Sequence, residues 1–163
     1  MTKPIRQMTK HGTELLVARE GSRSKMYLDS AGLPTIGVGH LLTRSELSSG
    51  KLYINGIAVR WRDGLSNDQM AHLFDHDNDV AETAVSTLIK VDLADHQFDA
   101  LVSFTFNVGV DALRRSSLRR LLNAGDYTVV PDQLRRWIYA AGQPVLRNRR
   151  EEEVRQWMTP YAA

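Results

Sequence analysis

The sequence predicts an α+β protein in which a small antiparallel sheet and a larger set of helices occupy separate stretches of the chain. Two apolar runs flank Asn55-Gly56, a pair typical of a two-residue β-hairpin turn. Residues typical of strands alternate with glycine and proline over 26–40. From about residue 66 onward, apolar residues recur at helical intervals. We predict one domain over residues 1–163. It consists of a helix over 12–20, a β lobe over about 26–62 and a helical lobe over about 66–163.

The helices are bounded by recognisable start and stop signals. Gly21 predicts the end of the first helix, because glycine adopts the left-handed conformation without steric cost. Ser66 and Gln69 have the spacing of a capping box, which predicts a helix from there to about Ile89. The segment 97–108 is apolar almost all round, which predicts a buried helix.

The C-terminal part of the chain is predicted to contain three further helices. An arginine-rich amphipathic helix over Leu113–Asn123 stops near Gly125. Pro131 opens the next helix, because proline suits the first helical turn. The last helix covers Arg149–Met158.

Composition excludes several classes of protein. The 163 residues include no cysteine, which excludes disulfides, thiolate metal sites and a cysteine nucleophile. No apolar run approaches the roughly 18 residues that a membrane helix needs. The basic residues of Met1–His11 are followed by no apolar segment of the kind found in a signal peptide, so we do not expect Sec-type secretion.

The positive charge is concentrated in one region. Between Arg114 and Arg150, nine arginines stand against two aspartates, a net charge of +7, so the rest of the chain carries −5. Such a region is either a solvated helical surface or a surface that contacts an anionic polymer. No recognised nucleic-acid-binding motif accompanies the arginines, so we expect no nucleic-acid partner.

Two carboxylates in different local settings are the candidate catalytic groups. Glu20 lies at a predicted helix C-terminus, where the negative end of the macrodipole should raise the carboxyl pKa and favour a general acid. Asp29 follows a strand and precedes turn residues, a setting in which it stays ionised. One acid and one base of this kind are typical of glycoside hydrolysis. Thr35 is a third candidate, whose hydroxyl could hold a water near Asp29.

Each of these residues also has a purely structural interpretation. Asp29 could simply form an Asx-turn, and Thr35 could be an ordinary strand residue. His40 could be catalytic, but we favour a hydrogen-bonded structural histidine. His72 and His76 are four residues apart, yet they lack the context of a metal site, and we predict none. We expect Trp61, in a polar run, to be available for a surface role.

The glycine-rich stretch carries a specific family resemblance. The pattern Glu-x8-Asp-x5-Thr, with Thr-Ile-Gly-Val-Gly-His-Leu-Leu-Thr at 35–43, resembles the bacteriophage lysozymes, or endolysins, of glycoside hydrolase family 24. Similar stretches continue along most of the chain, at 65–77, 98–109, 116–127 and 146–153. The region 44–64 is the part least similar to the family.

The resemblance implies a lysozyme-like fold with an active-site cleft between the two lobes, and an inverting hydrolysis of the β-1,4 bond between N-acetylmuramic acid and N-acetylglucosamine in bacterial peptidoglycan. In that reaction Glu20 is the acid, Asp29 the base that activates water, and Thr35 a residue that positions the water. It implies no cofactor. The residues that it implies as sugar contacts are Leu41, Phe106, Asn107 and Ser117.

The resemblance also implies a partner for the catalytic glutamate and a biological setting. Arg147 and Arg149 both remain candidates for the arginine that supports Glu20. The expected protein is a monomer that waits in the host cytoplasm, passes the inner membrane through a holin-type pore and lyses the cell. The alternative is a non-enzymatic, cationic protein that binds the envelope or perturbs membranes through the region Arg114–Arg150.

Overall fold

The computed structural model describes residues 4–162 and divides the chain into two compact units. One unit contains the residues up to Leu16 and those from Asn78 onward, and the other is Val17–Asp77. The single domain over 1–163 stays a prediction.

The first helix, α1, covers Lys10–Glu20 and ends as predicted. Gly21 has φ 71°, and its N–H donates to the carbonyl of Val17 at 2.9 Å. This left-handed residue turns the chain out of the helix directly after Glu20, so Glu20 is the last helical residue.

The sheet elements of Val17–Asp77 form two antiparallel groups. The strands of the first are β1 (Arg23–Leu28), β2 (Pro34–Gly37) and β3 (His40–Leu41), in that order. The second is the predicted hairpin of β4 (Lys51–Ile54) and β5 (Ile57–Arg60). Asn55 (φ 51°) and Gly56 (φ 79°) give its turn the two positive φ angles that a type I′ turn requires.

A short helix, α2 (Arg44–Ser49), lies within the region predicted to be a β lobe. The Thr43 side chain accepts a hydrogen bond from the Glu46 N–H at 3.1 Å, while the Glu46 carboxylate accepts one from the Thr43 N–H at 2.9 Å. This reciprocal capping box satisfies two donors that the first turn would otherwise leave free, which explains a helix of only six residues.

The prediction of a surface role for Trp61 is wrong. Trp61 belongs to a 3-10 turn (Trp61–Asp63) and is 3% exposed. Its indole N–H donates to the carbonyl of Glu46 at 2.8 Å, which satisfies the polar end of the buried ring. It packs in an apolar core with residues of both sheet groups and of the following helix, among them Ile36, Leu52 and Leu73.

The two long helices agree with the sequence analysis. The third helix, α3, covers Asn67–Leu88, and Ser66 and Gln69 cap it reciprocally as predicted. The fourth, α4, covers Asp95–Val108, and almost every residue from His96 to Thr105 is buried. An all-round apolar helix of this kind forms the centre of its unit.

The predicted helix Leu113–Asn123 is two helices, α5 (Val110–Arg115) and α6 (Ser117–Asn123). Ser116 between them is extended (φ −72°, ψ 147°), and its hydroxyl accepts a hydrogen bond from the Arg119 N–H at 3.0 Å. This N-cap starts a new helix and interrupts the predicted one. The remaining helices are α7 (Val130–Arg135), with Pro131 in its first turn, and α8 (Arg147–Met158), which begins two residues earlier than predicted.

Candidate active site

The register of the first sheet places three predicted site residues on one face. Thr35 pairs with Tyr27 across β1 and β2, and with Leu41 across β2 and β3. The Asp29 N–H donates to the Leu33 carbonyl at 2.9 Å, which continues the β1–β2 ladder by one residue. Because side chains alternate along a strand and paired residues share a face, Asp29, Thr35 and Leu41 lie on the same face as Tyr27.

Asp29 sits in the turn that joins β1 to β2. Its Oδ1 accepts hydrogen bonds from the N–H groups of Ala31 and Leu33, both at 2.9 Å. The Asx-turn interpretation of this residue is therefore confirmed, and it fixes the side chain. Within residues 4–162 no hydrogen bond reaches Oδ2, so the second carboxylate oxygen is available to accept a proton.

Thr35 is buried, with 4% of its surface exposed. Its hydroxyl donates to the Leu33 carbonyl at 3.0 Å. Since the one hydroxyl proton is committed to that bond, the oxygen presents its lone pairs as an acceptor. A water that donated to Thr35 would be oriented by it.

Glu20 lies against the turn between β2 and β3. A Cβ atom added at Gly39 would collide with the Glu20 carboxylate, with Oε2 as the nearest atom. Gly39 also has φ 70°, a conformation that side chains rarely adopt. Gly39 therefore allows the backbone of this turn to approach the Glu20 carboxylate closely.

The Tyr27 phenol is affected by the charges of both predicted catalytic carboxylates. Burial and the negative charge of Glu20 raise the pKa of the Tyr27 phenol, against the effect of Arg23, and Asp29 raises it further. The Arg23 guanidinium lies over the Tyr27 ring, 4.6 Å from its centroid. Both negative charges therefore act on the Tyr27 phenol.

His40 has the structural role that the sequence analysis favoured. Its Nδ1 lies 2.7 Å from Asp77 Oδ2 and its Nε2 lies 2.9 Å from Glu46 Oε1. Although burial opposes it, the hydrogen bonds and charges of Asp77 and Glu46 raise the pKa of His40 to about 9. A protonated ring donates to both carboxylates and ties β3 to α2 and α3.

The four predicted sugar contacts lie in different elements. Leu41 is about half exposed, at the end of β3. Phe106 and Asn107 are half-buried near the end of α4, and Ser117 is the first residue of α6. The last three belong to the unit that contains α4, so the sheet register brings only Leu41 next to Thr35.

A buried ion pair supports Asn107. Arg150 and Glu153, both fully buried on α8, form an ion pair with Nε and Oε1 2.7 Å apart. The Arg150 Nη2 donates to Asn107 Oδ1 at 2.6 Å. Since this bond occupies the carbonyl end of the amide, the N–H₂ group of Asn107 remains as its donor.

Arg147 and Arg149 differ in their surroundings. Arg147 is exposed at the start of α8. Arg149 is half-buried, lies 3.2 Å from Glu153 Oε2, and donates to the Ser103 carbonyl at 3.1 Å. Arg149 is therefore the more ordered of the two candidates.

Residues 4–162 contain neither a cluster of metal-ligating side chains nor a membrane-spanning helix. No group of three or more histidine, aspartate or glutamate side chains is placed to hold a metal ion. Nor does the described part of the chain contain a helix that is long and apolar enough to cross a membrane.

Sequence reasoning missed two residues that build the site. Tyr27 stands two residues before Asp29, a spacing that places both side chains on one face of an extended strand. Gly39 belongs to the glycine-rich stretch 35–43, but no residue next to it in the sequence indicates its neighbour in the fold. Only the path of the chain between α1 and β3 identifies Glu20 as that neighbour.

A family model and individual relatives of the chain agree on one protein family. A family model described as phage lysozyme matches residues 17–153. The chain is 35% identical to the endolysin of Salmonella phage P22 over 148 residues, which cover 90% of this chain and 94% of that protein. It is 36% identical to the SAR-endolysin of Escherichia phage Mu over 133 residues, which cover 80% and 69% of the two chains.

The fold comparison agrees with the sequence comparison. The crystal structure of a P22 lysozyme mutant superposes with a TM-score of 0.73 at 32% identity, over 94% of this chain and 99% of that one. The predicted lysozyme-like α+β fold is thereby confirmed. The relatives give no support to the alternative of a non-enzymatic envelope-binding protein.

Proposed function

The chain belongs to the phage lysozyme family, and we propose that Glu20, Asp29 and Thr35 perform the hydrolysis of the β-1,4 bond between N-acetylmuramic acid and N-acetylglucosamine. As a member of this family, the protein is a peptidoglycan-hydrolysing enzyme of phage lysis. The observation that supports the proposal is the sheet register, which places Asp29 and Thr35 on the same face as Tyr27. The charges of both Glu20 and Asp29 raise the pKa of the Tyr27 phenol on that face.

The proposed reaction is a single inverting displacement. Glu20 gives its proton to the glycosidic oxygen as the bond from that oxygen to the anomeric carbon breaks. A water attacks the anomeric carbon from the opposite face, and Asp29 Oδ2 takes its proton. The Thr35 hydroxyl oxygen accepts a hydrogen bond from the other O–H of the water, which stays with the attacking oxygen and becomes the new hydroxyl group of the sugar, so that a lone pair of the water faces the anomeric carbon. Inversion requires roughly 6.5–9.5 Å between the two carboxyl groups to leave room for this water.

We further propose that Leu41, Phe106, Asn107 and Ser117 contact the sugar chain. Leu41 offers exposed apolar surface beside Thr35. Asn107 offers its amide N–H₂ group, because Arg150 occupies only the carbonyl end, and this donor suits an acetamido carbonyl or a sugar hydroxyl.

The test of the catalytic assignment is lysis of outer-membrane-permeabilised Gram-negative cells, followed as loss of turbidity. Glu20→Gln removes the proton that the leaving oxygen needs, so we expect the rate to fall by a factor of at least about 100. Glu14→Gln, an exposed glutamate on the same helix, is the matched control and should lyse cells like the wild type. If Glu20→Gln lyses cells as fast as the Glu14→Gln control, Glu20 is not the acid.

Release and assembly are also proposals. Endolysins act on the cell wall, and the relatives include proteins named endolysin and proteins named SAR-endolysin. We propose a monomer that accumulates in the cytoplasm and reaches the wall through a holin-type pore, where the region Arg114–Arg150 meets anionic envelope components. Expression alone should then leave cells intact until a pore-forming protein is co-expressed. Lysis without the pore would contradict this route, and a light-scattering mass of two chains would contradict the monomer.

A further inference from the structure

The proposed sugar contact Leu41 lies at the end of a very short strand. β3 has only two residues, His40–Leu41, and the ladder ends where the Leu42 N–H donates to the Pro34 carbonyl at 3.0 Å. The Leu41 side chain is 51% exposed, so packing within the protein holds it only in part. The position of Leu41 therefore depends on the bonds made by the residues on either side of it.

The carboxylate of Glu46 receives hydrogen bonds from both sides of Leu41. Its Oε1 accepts one from His40 Nε2 and one from the Thr43 N–H, each at 2.9 Å. Because a single oxygen receives both bonds, the two ends of the segment 40–43 converge on one point. Bonds of this kind fix the position of the side chains between them, which a loosely held loop end would leave mobile.

The main chain of Glu46 is anchored in the apolar core. Its carbonyl accepts a hydrogen bond from the Trp61 indole N–H at 2.8 Å. Trp61 is buried and packs in the same core as Ile36, the residue that follows Thr35 in β2. Glu46 thus connects the segment 40–43 to the core that lies under Thr35.

The bond to His40 is an addition that a capping box does not require. The capping box of α3 has the same geometry, since the Gln69 side chain accepts from the Ser66 N–H at 2.9 Å. Among residues 4–162, the Gln69 side chain bonds only within its own capping box. Resting on the proposed function, we propose that Glu46 is a positioning residue that holds Leu41 against the sugar chain and so sets the affinity for substrate.

The experiment measures kcat and KM separately on soluble peptidoglycan fragments. Glu46→Ala removes both bonds to the segment 40–43, whereas Glu46→Gln keeps an oxygen that can accept them. Gln69→Ala removes the equivalent bond of the α3 capping box and is the matched control. Leu41→Ala and the double variant Leu41→Ala/Glu46→Ala test whether Glu46 acts through Leu41.

We expect Glu46→Ala and Leu41→Ala each to raise KM about fivefold, the effect of losing part of one apolar contact. Both should leave kcat within a factor of about two, because Leu41 does not touch the reacting atoms. The double variant should have the KM of Leu41→Ala, and Glu46→Gln should recover most of the affinity. Gln69→Ala should keep the parent KM, although it too unfolds at a lower urea concentration.

A KM of Glu46→Ala equal to that of Gln69→Ala would overturn the proposal. So would a KM in the double variant that rises by the product of the two single effects, or a Glu46→Gln variant that binds as weakly as Glu46→Ala. If Leu41→Ala leaves KM unchanged, the proposed sugar contact fails and this inference fails with it. If Leu41→Ala raises KM and Glu46→Ala does not, only the inference about Glu46 fails.

Discussion

At the scale of single residues, the position of the proposed acid Glu20 depends on the absence of a side chain at Gly39. Gly39 has φ 70° and lies against the Glu20 carboxylate, where a Cβ atom would collide with it. Gly56 has φ 79° in the hairpin turn, and a Cβ there would meet nothing within 4 Å. The two glycines share the backbone constraint and differ only in what they approach.

This difference predicts that substitution of Gly39, but not of Gly56, lowers the lytic activity. Both Gly39→Ala and Gly56→Ala should lose about 1 kcal/mol of unfolding free energy, because alanine is strained at positive φ. Only Gly39→Ala should displace Glu20, and we expect its lytic rate to fall by a factor of about 10 or more. Urea unfolding and turbidity assays on both variants measure the two effects. Equal lytic rates in the two variants would show that Gly39 does not set the position of Glu20.

The raised pKa of His40 predicts that the stability of the protein depends on pH. Its pKa is raised from about 6.5 to about 9 by Asp77 and Glu46 despite burial, which corresponds to about 3 kcal/mol in favour of the protonated folded state. That stabilisation is fully present below pH 6.5 and is lost as the pH rises through 9. His40→Gln should therefore be much less stable than the wild type at pH 6 and should approach it at pH 9.5. The exposed His72→Gln is the control, and a His40→Gln deficit that did not change between these pH values would contradict the account.

At the scale of elements, local signals predicted helix ends well but missed interruptions. The stop at Gly21, the hairpin turn at Asn55-Gly56 and the cap at Ser66 follow from residues next to them in the sequence. The same capping rule marks Thr43 and Ser116, and it begins a helix in both places. The sequence analysis missed both helix starts because the residues around Thr43 are typical of strands and those around Ser116 predict one longer amphipathic helix. A helix of six or seven residues is also too short to show a clear helical periodicity.

The burial of Arg150 and Glu153 was not predictable from α8 itself, because seven of its twelve residues are charged and such a helix is typical of a solvated surface. The two side chains are fully buried, and the Ser103 hydroxyl of α4 also donates to Glu153 Oε2 at 2.7 Å. An unpaired charge in such a place costs far more than one at the surface.

The ion pairs of α8 therefore predict a contrast in stability. Glu153→Gln leaves Arg150 as an uncompensated buried charge, and we expect it to lower the unfolding free energy by about 3–5 kcal/mol. Glu151 lies on the same helix, and Glu151→Gln breaks only its exposed pair with Arg135 of α7, so it should change stability little. Chemical denaturation of both variants measures the contrast. If both changes cost the same, the pair of Arg150 and Glu153 is not the stabilising contact described here.

At the scale of the whole molecule, the candidate site divides into a predictable and an unpredictable part. Glu20, Asp29 and Thr35 were identified from their spacing and the family resemblance, and the sheet register gives a physical reason for the spacing of Asp29 and Thr35. The roles of Tyr27 and Gly39 required the register and the path of the chain.

The central claim is that Glu20 and Asp29 act on opposite faces of the sugar, with one water between Asp29 and the anomeric carbon. The stereochemistry of the first product reports this most directly. Proton NMR of soluble peptidoglycan fragments, recorded early in the reaction before the anomers equilibrate, distinguishes the two outcomes. Inversion of the β-linked substrate predicts that the new reducing end appears first as the α-anomer. Initial formation of the β-anomer would contradict the account.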